Sequence, residues 1–165
     1  MTLMAVSKLL GNVVRVVNVY DRVDVDNPHG IYVYDKDKGK WVLVETRGPP
    51  EFRKNGVYVI YFDNIRCPAC RVYDIHWFPY VTLIGSSLKD VYFIIVLCEW
   101  FARRCRSEAA SSTFKKYDIH ASPTTVIVGV RDGNVIDKEK VEGVKTMDKL
   151  ASMIEEFARK NGYTI

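Results

Sequence analysis

The chain of 165 residues contains no glutamine, only three histidines and no repeated or low-complexity segment. Depletion of thermolabile amides is one hyperthermophile trait, and the missing glutamine, beside abundant Lys, Glu, Arg, Val and Tyr, points that way. His29, His76 and His120 have no ligand spacing to the cysteines, so no metal is assigned to them. No apolar run is long enough to span a bilayer, which removes a membrane partner. Met1 to Leu10 carries Lys8 inside its apolar stretch and lacks a small-residue cleavage site. That argues against a secretory signal and for the cytoplasm. Basic residues do not interleave with aromatics, and a formal net charge of +4 is mild, so a nucleic-acid partner is not expected. What remains is ordinary: 48% hydrophobic and 27% charged residues suit a soluble globular protein with one core and an extension.

Four cysteines are present: Cys67, Cys70, Cys98 and Cys105. In the cytoplasm, cysteines serve catalysis or metal binding more often than a disulfide scaffold, hyperthermophiles excepted. Cys67 and Cys70 close a stretch that reads as an apolar strand, Val57–Asp63, a short turn, and Cys-Pro-Ala-Cys opening a helix. A sulfur at a helix N-terminus meets unpaired backbone N–H groups and the positive end of the dipole. Both favour the thiolate, which is the nucleophile. Pro68 suits the first turn, where its missing N–H would have had no helical partner. A second sulfur three positions on can resolve a mixed disulfide, so the parts for reversible thiol–disulfide exchange are present. Cys-x-x-Cys also supplies half of many zinc sites, and a zinc-binding protein using all four cysteines is a competing reading.

In chain order, Asn12–Tyr20 reads as a strand, Asp21–Gly30 as a loop, and Ile31–Tyr34 and Trp41–Glu45 as a hairpin across a polar, glycine-containing turn. Arg47-Gly48-Pro49-Pro50 breaks the pattern, placing a β-rich appendage at 1–50 before a second unit at 51–165. The helix after Cys67 extends to about Ile84, bent or restarted at Pro79. Val91–Leu97 is a continuous apolar run, as in a strand buried on both faces. Glu99–Tyr117 is helix-like, broken at Ser111-Ser112. Thr124–Val130 and Val135–Val141 form a hairpin, and Thr146 caps a last helix that ends before Gly162. Tyr92, Phe93, Trp100 and Phe101 read most simply as core.

From Val57 the order is βαβαββα. With a Cys-x-x-Cys at the first helix, Ser122-Pro123-Thr124 before the hairpin strand and Gly143 before the last helix, this resembles the thioredoxin-like family. The resemblance implies an α/β fold with a central mixed sheet flanked by helices, here carrying an N-terminal β-rich extension. It implies that Cys67 attacks and Cys70 resolves. Pro123 is then cis and lies beside the sulfurs, with Ser122 offering free backbone to an extended substrate as a strand edge does. Arg66, Pro68, Ala69 and Gly143 complete the substrate surface. No cofactor is implied. Protein or small-molecule thiols and disulfides are the substrates, and a redox partner recycles the pair. A non-catalytic binding module on the same fold is a further alternative.

Three departures accompany the resemblance. Arg66 replaces the usual tryptophan and would support a thiolate at Cys67 if its geometry permits. The dipeptide is Pro68-Ala69. Tyr61 stands where ordinary thioredoxins keep a buried aspartate, with Asp63 nearby. Cys98 and Cys105 are seven positions apart, and a continuous helix between them would hold their Cα atoms roughly 10 Å apart, beyond the ~7 Å a disulfide spans. A bond therefore requires the chain to turn. A second disulfide there is the favoured expectation, with exchange between the two pairs as an extension of it and two buried thiols as the alternative.

Overall fold

Side chains alternate along strand β4 (Gly56–Asn64), and that alternation decides where the two cores lie. Val57, Val59 and Tyr61 face one layer, while Tyr58, Ile60 and Phe62 face the other. Every residue of β4 is buried, as its unbroken apolar run requires. The structure, a computed structural model, describes residues 1–165.

Seven strands form one sheet in the order β1-β3-β2-β5-β4-β6-β7. They are β1 (Val13–Tyr20), β2 (Gly30–Asp35), β3 (Lys40–Thr46), β4, β5 (Val91–Cys98), β6 (Thr124–Arg131) and β7 (Asn134–Glu142). Only β4 and β5 are parallel; the other neighbours run antiparallel. Helices α2 (Pro68–Leu83) and α4 (Met147–Lys160) cover the Tyr61 face, and α1 (Leu3–Leu9) and α3 (Glu108–Lys116) cover the Phe62 face. From β4 onward this is the thioredoxin-like order. The first fifty residues add three strands to the same sheet, and β2 pairs with β5 from Gly30↔Leu97 to Val33↔Ile94.

One element is new, and three local readings change. Leu3–Leu9 is a short helix capped by the Thr2 hydroxyl, which accepts from Ala5 N–H at 3.1 Å; about two turns of periodicity are too little to show in sequence. Residues 99–107 are not helical. The chain reverses through a bridge between Trp100 and Arg104, and α3 starts only at its Ser107 cap. Ser111 and Ser112 lie inside α3 and do not break it, because Ser111 Oγ is drawn off to Ala102 O at 2.8 Å. Finally, α2 runs continuously through Pro79.

Gly56 enters β4 at φ +151°, and a Cβ there would sit 2.4 Å from the Asp90 carbonyl oxygen. Gly56→Ala is therefore expected to lower unfolding free energy by about 2–4 kcal/mol, read by urea denaturation. A change below about 0.5 kcal/mol would show that the strand entry relaxes freely.

Candidate active site

The loops after β4 and β5 and before β6 meet at one end of the sheet. Two main-chain bonds join the first pair: Ile65 N–H to Cys98 O at 2.9 Å and Arg66 N–H to Glu99 O at 3.3 Å. Cys67 is the N-cap of α2, and its Sγ accepts from Cys70 N–H at 3.1 Å. The donor and the positive helix end thus face the Cys67 sulfur, where they would stabilise a negative charge. Both sulfurs are free thiols, with Cys67 4% and Cys70 0% exposed. Pro68 opens the helix at the surface and Ala69 is half-buried behind it.

The loop before β6 closes over this pair. Ser122–Pro123 is a cis peptide bond, and Ser122 Oγ lies 3.1 Å from Cys70 Sγ. The Ser122 main-chain N–H and C=O have no partner within the chain. Gly143 N–H donates to Pro123 O at 2.8 Å, which brings the loop before α4 to the same place. Cys67, Cys70, Ser122, Pro123 and Gly143 therefore converge. Arg66 is next to them, but its exposed guanidinium turns to Glu99 (3.6 Å), whose other oxygen takes Arg104 at 2.8 Å. Its charge is shared there and is not left free beside Cys67.

Behind Cys70 lies a buried charged group that sequence reading touched only at Asp63. Arg71 spans two carboxyls, Nη2 to Asp63 at 2.6 Å and Nε to Asp74 at 3.0 Å, and also donates to Ile65 O at 2.9 Å. Tyr61 Oη donates its one proton toward Asp74 at 2.8 Å, with Cys70 O a second acceptor at 3.1 Å. Asp63 Oδ2 is buried with no hydrogen-bond partner. Burial, then the Asp74 charge, pushes the Asp63 carboxyl up to about 7, against the pull of Arg71. Burial, then the Asp63 charge, pushes the Cys70 thiol far above the ordinary thiol range. Burial likewise raises the Tyr61 phenol, so it is a donor and no base. The signal for this group was spacing. Asp63 shares Tyr61's face of β4, while Arg71 and Asp74 each follow a site cysteine by one helical turn.

Asn64 points to the other face. Its Nδ2 donates to Ser122 Oγ at 2.9 Å, and its Oδ1 accepts from Phe101 N–H at 2.6 Å. Phe101 belongs to the loop closed by a Cys98–Cys105 disulfide, Cα–Cα 4.7 Å. That bond lies on the α3 face of the sheet and the Cys67–Cys70 pair on the α2 face, so the sheet separates the two pairs. No three His, Cys, Asp or Glu side chains converge as a metal site. His29 Nδ1 accepts from Arg106 N–H at 2.8 Å, far along the chain from the site cysteines. Trp100 and Phe101 are half-buried and line a surface cavity, unlike the fully buried Phe93.

No family model and no curated protein matches the chain. Solved structures do. Thioredoxin from Aeropyrum pernix is 14% identical, with 81% of this chain and 98% of that chain aligned at a TM-score of 0.49. Oxidised mitochondrial thioredoxin 3 from Saccharomyces cerevisiae is 23% identical over 63% of this chain and 81% of its own, at 0.44. Thioredoxin from Fasciola hepatica is 22% identical over 62% and 82%, at 0.43. The thioredoxin-like fold of this chain stands on its own strand order and helix placement.

Proposed function

We propose that the chain is a thiol–disulfide oxidoreductase acting on protein or small-molecule disulfides and dithiols. The supporting observation is Cys67 as helix N-cap, with its sulfur on a backbone N–H and Cys70 against the free edge at Ser122. In the reducing direction, Cys67 sulfur attacks a substrate disulfide. A Cys67–substrate S–S bond forms, the substrate bond breaks, and the leaving sulfur takes a proton. Cys70 then passes its proton to Asp63 and attacks Cys67 sulfur. The Cys67–Cys70 disulfide forms and the second substrate thiol leaves. Two electrons have moved from the protein dithiol to substrate, and a partner dithiol restores them. The opposite direction runs the same steps backwards. No helix is long and apolar enough to cross a membrane, and a cytoplasmic location belongs to this reading. A disulfide-reduction assay with a small disulfide and a dithiol reductant tests it. Absence of turnover in a folded protein would leave a non-catalytic module on the same fold.

Tyr61→Phe is expected to change turnover less than about threefold while lowering stability by about 1–2 kcal/mol, because a buried Asp74 oxygen loses its donor. Turnover and urea unfolding measured on one preparation check this. A hundredfold loss of rate would make the phenol part of the proton path.

A further inference from the structure

The disulfide-closed loop 98–105 and the segment 114–120 line a surface cavity of about 460 Å³. Its floor is apolar: Trp100, Phe101, Phe114 and Ile119. Its rim carries Arg103 and Lys115, both exposed and neither in a salt bridge. The one acid there, Asp118, is hydrogen-bonded to His120 at 2.5 Å, so the rim carries two cations against one carboxylate. A chain of hydrogen bonds at the end of the sheet ties the cavity wall to the site. His120 is two residues before Ser122, and the Phe101 N–H holds Asn64, which holds the Ser122 hydroxyl against Cys70.

We infer that this cavity is a recognition pocket for a protein substrate, taking a bulky apolar side chain flanked by acidic residues close to the reacting cysteine. The inference rests on the exchange reading above and names the substrate class of that site. An extended segment laid on the free Ser122 edge places alternate side chains on one side, within reach of the cavity next to that edge. The apolar floor takes up a ring or branched side chain. The two unpaired cations favour Asp or Glu beside it and disfavour Lys and Arg. The Cys98–Cys105 bond fixes the wall bearing Trp100 and Phe101, so the pocket exists before the substrate arrives.

The test measures fluorescence anisotropy of labelled peptides on the Cys67→Ser/Cys70→Ser double variant, which binds without reacting. One peptide carries Phe between glutamates, a second Ala in place of Phe, a third lysines in place of the glutamates. The first is expected to bind at least about tenfold tighter than either control, worth ~1.4 kcal/mol. Adding Arg103→Glu and Lys115→Glu should abolish that preference, and Arg103→Lys should keep it. Near-UV circular dichroism confirms the fold of each exposed-site variant. Equal binding of the three peptides overturns the inference, as does a preference that survives charge reversal. Phenylacetate binding as tightly as the Phe peptide overturns it too, in favour of a small-molecule pocket. Turnover of a small disulfide by the unmodified protein separates the two readings. Turnover without peptide preference refutes the pocket and leaves exchange standing; preference without turnover refutes exchange and leaves the pocket.

Discussion

Cys67→Ser is expected to lower disulfide exchange by roughly 10³-fold or more, and Cys70→Ser to leave the chain covalently joined to its substrate. The asymmetry follows from the helix start. Cys67 sulfur sits at the cap, facing a backbone donor, whereas Cys70 is sealed between α2, Ser122 and Asp63. A thiol pushed far up holds almost no thiolate near neutral pH, so Cys70 waits until the mixed disulfide forms and Asp63 takes its proton. Iodoacetamide should therefore modify Cys67 at least about a hundredfold faster than Cys70 at pH 7. Mass mapping of the alkylated chain reads the first effect, and non-reducing electrophoresis of Cys70→Ser with a disulfide-bonded substrate reads the second. Equal alkylation at both sulfurs, with no trapped adduct, would remove the assignment of roles.

Asp63→Asn should act in opposite directions on rate and stability. The carboxyl next to Cys70 accepts its proton only when ionised, so turnover of the unmodified protein should rise through about pH 7. The amide cannot accept that proton. The release step should slow by about 10²-fold, and the rising limb of the pH profile should vanish. For stability, the folded carboxyl titrates above its unfolded value of 3.8. The folded state thus holds the proton more tightly. Stability is greatest below the unfolded value and falls as pH rises through about 7. Above that pH two buried carboxylates share one guanidinium, Arg71. Asp63→Asn leaves a one-to-one pair with Asp74. A gain on the order of 3 kcal/mol at pH 8 is expected, shrinking to little at pH 4. Unfolding curves at the two pH values read it. Equal stability of both proteins at pH 8, with an unchanged pH profile, would exclude Asp63 from the proton path.

What was readable in the sequence was whatever depends on neighbours in the chain. Val57–Asp63, Cys-Pro-Ala-Cys, the Arg131-Asp132-Gly133-Asn134 turn and the Thr146 cap are local signals, and each lies where its own chemistry puts it. The misreadings needed partners from elsewhere. Residues 99–107 have helical composition, yet the Cys98–Cys105 bond and the tie from Phe101 to Asn64 hold them in a reversal. Arg71 and Asp74 went unread, because only the fold brings them to Asp63 across strand and helix. The β-rich extension at 1–50 was legible as strands, but the pairing of β2 with β5 was not, because nothing in β2 shows which strand its open side meets.

The seat of β2 beside β5 sets a schedule on the ribosome. Hairpin β2–β3 closes in microseconds once made, and β1 joins it at the outer edge. The other side of β2, Gly30 to Val33, must wait for Val91–Leu97, roughly 3–10 s at ordinary rates of synthesis. During that interval a fully apolar strand edge is bare, the template on which nascent chains cross-pair. Starting translation at residue 51 would not relieve the hazard but transfer it. β5 would then emerge with its outer side permanently uncovered, so the early strands are what keeps β5 from being a sheet edge.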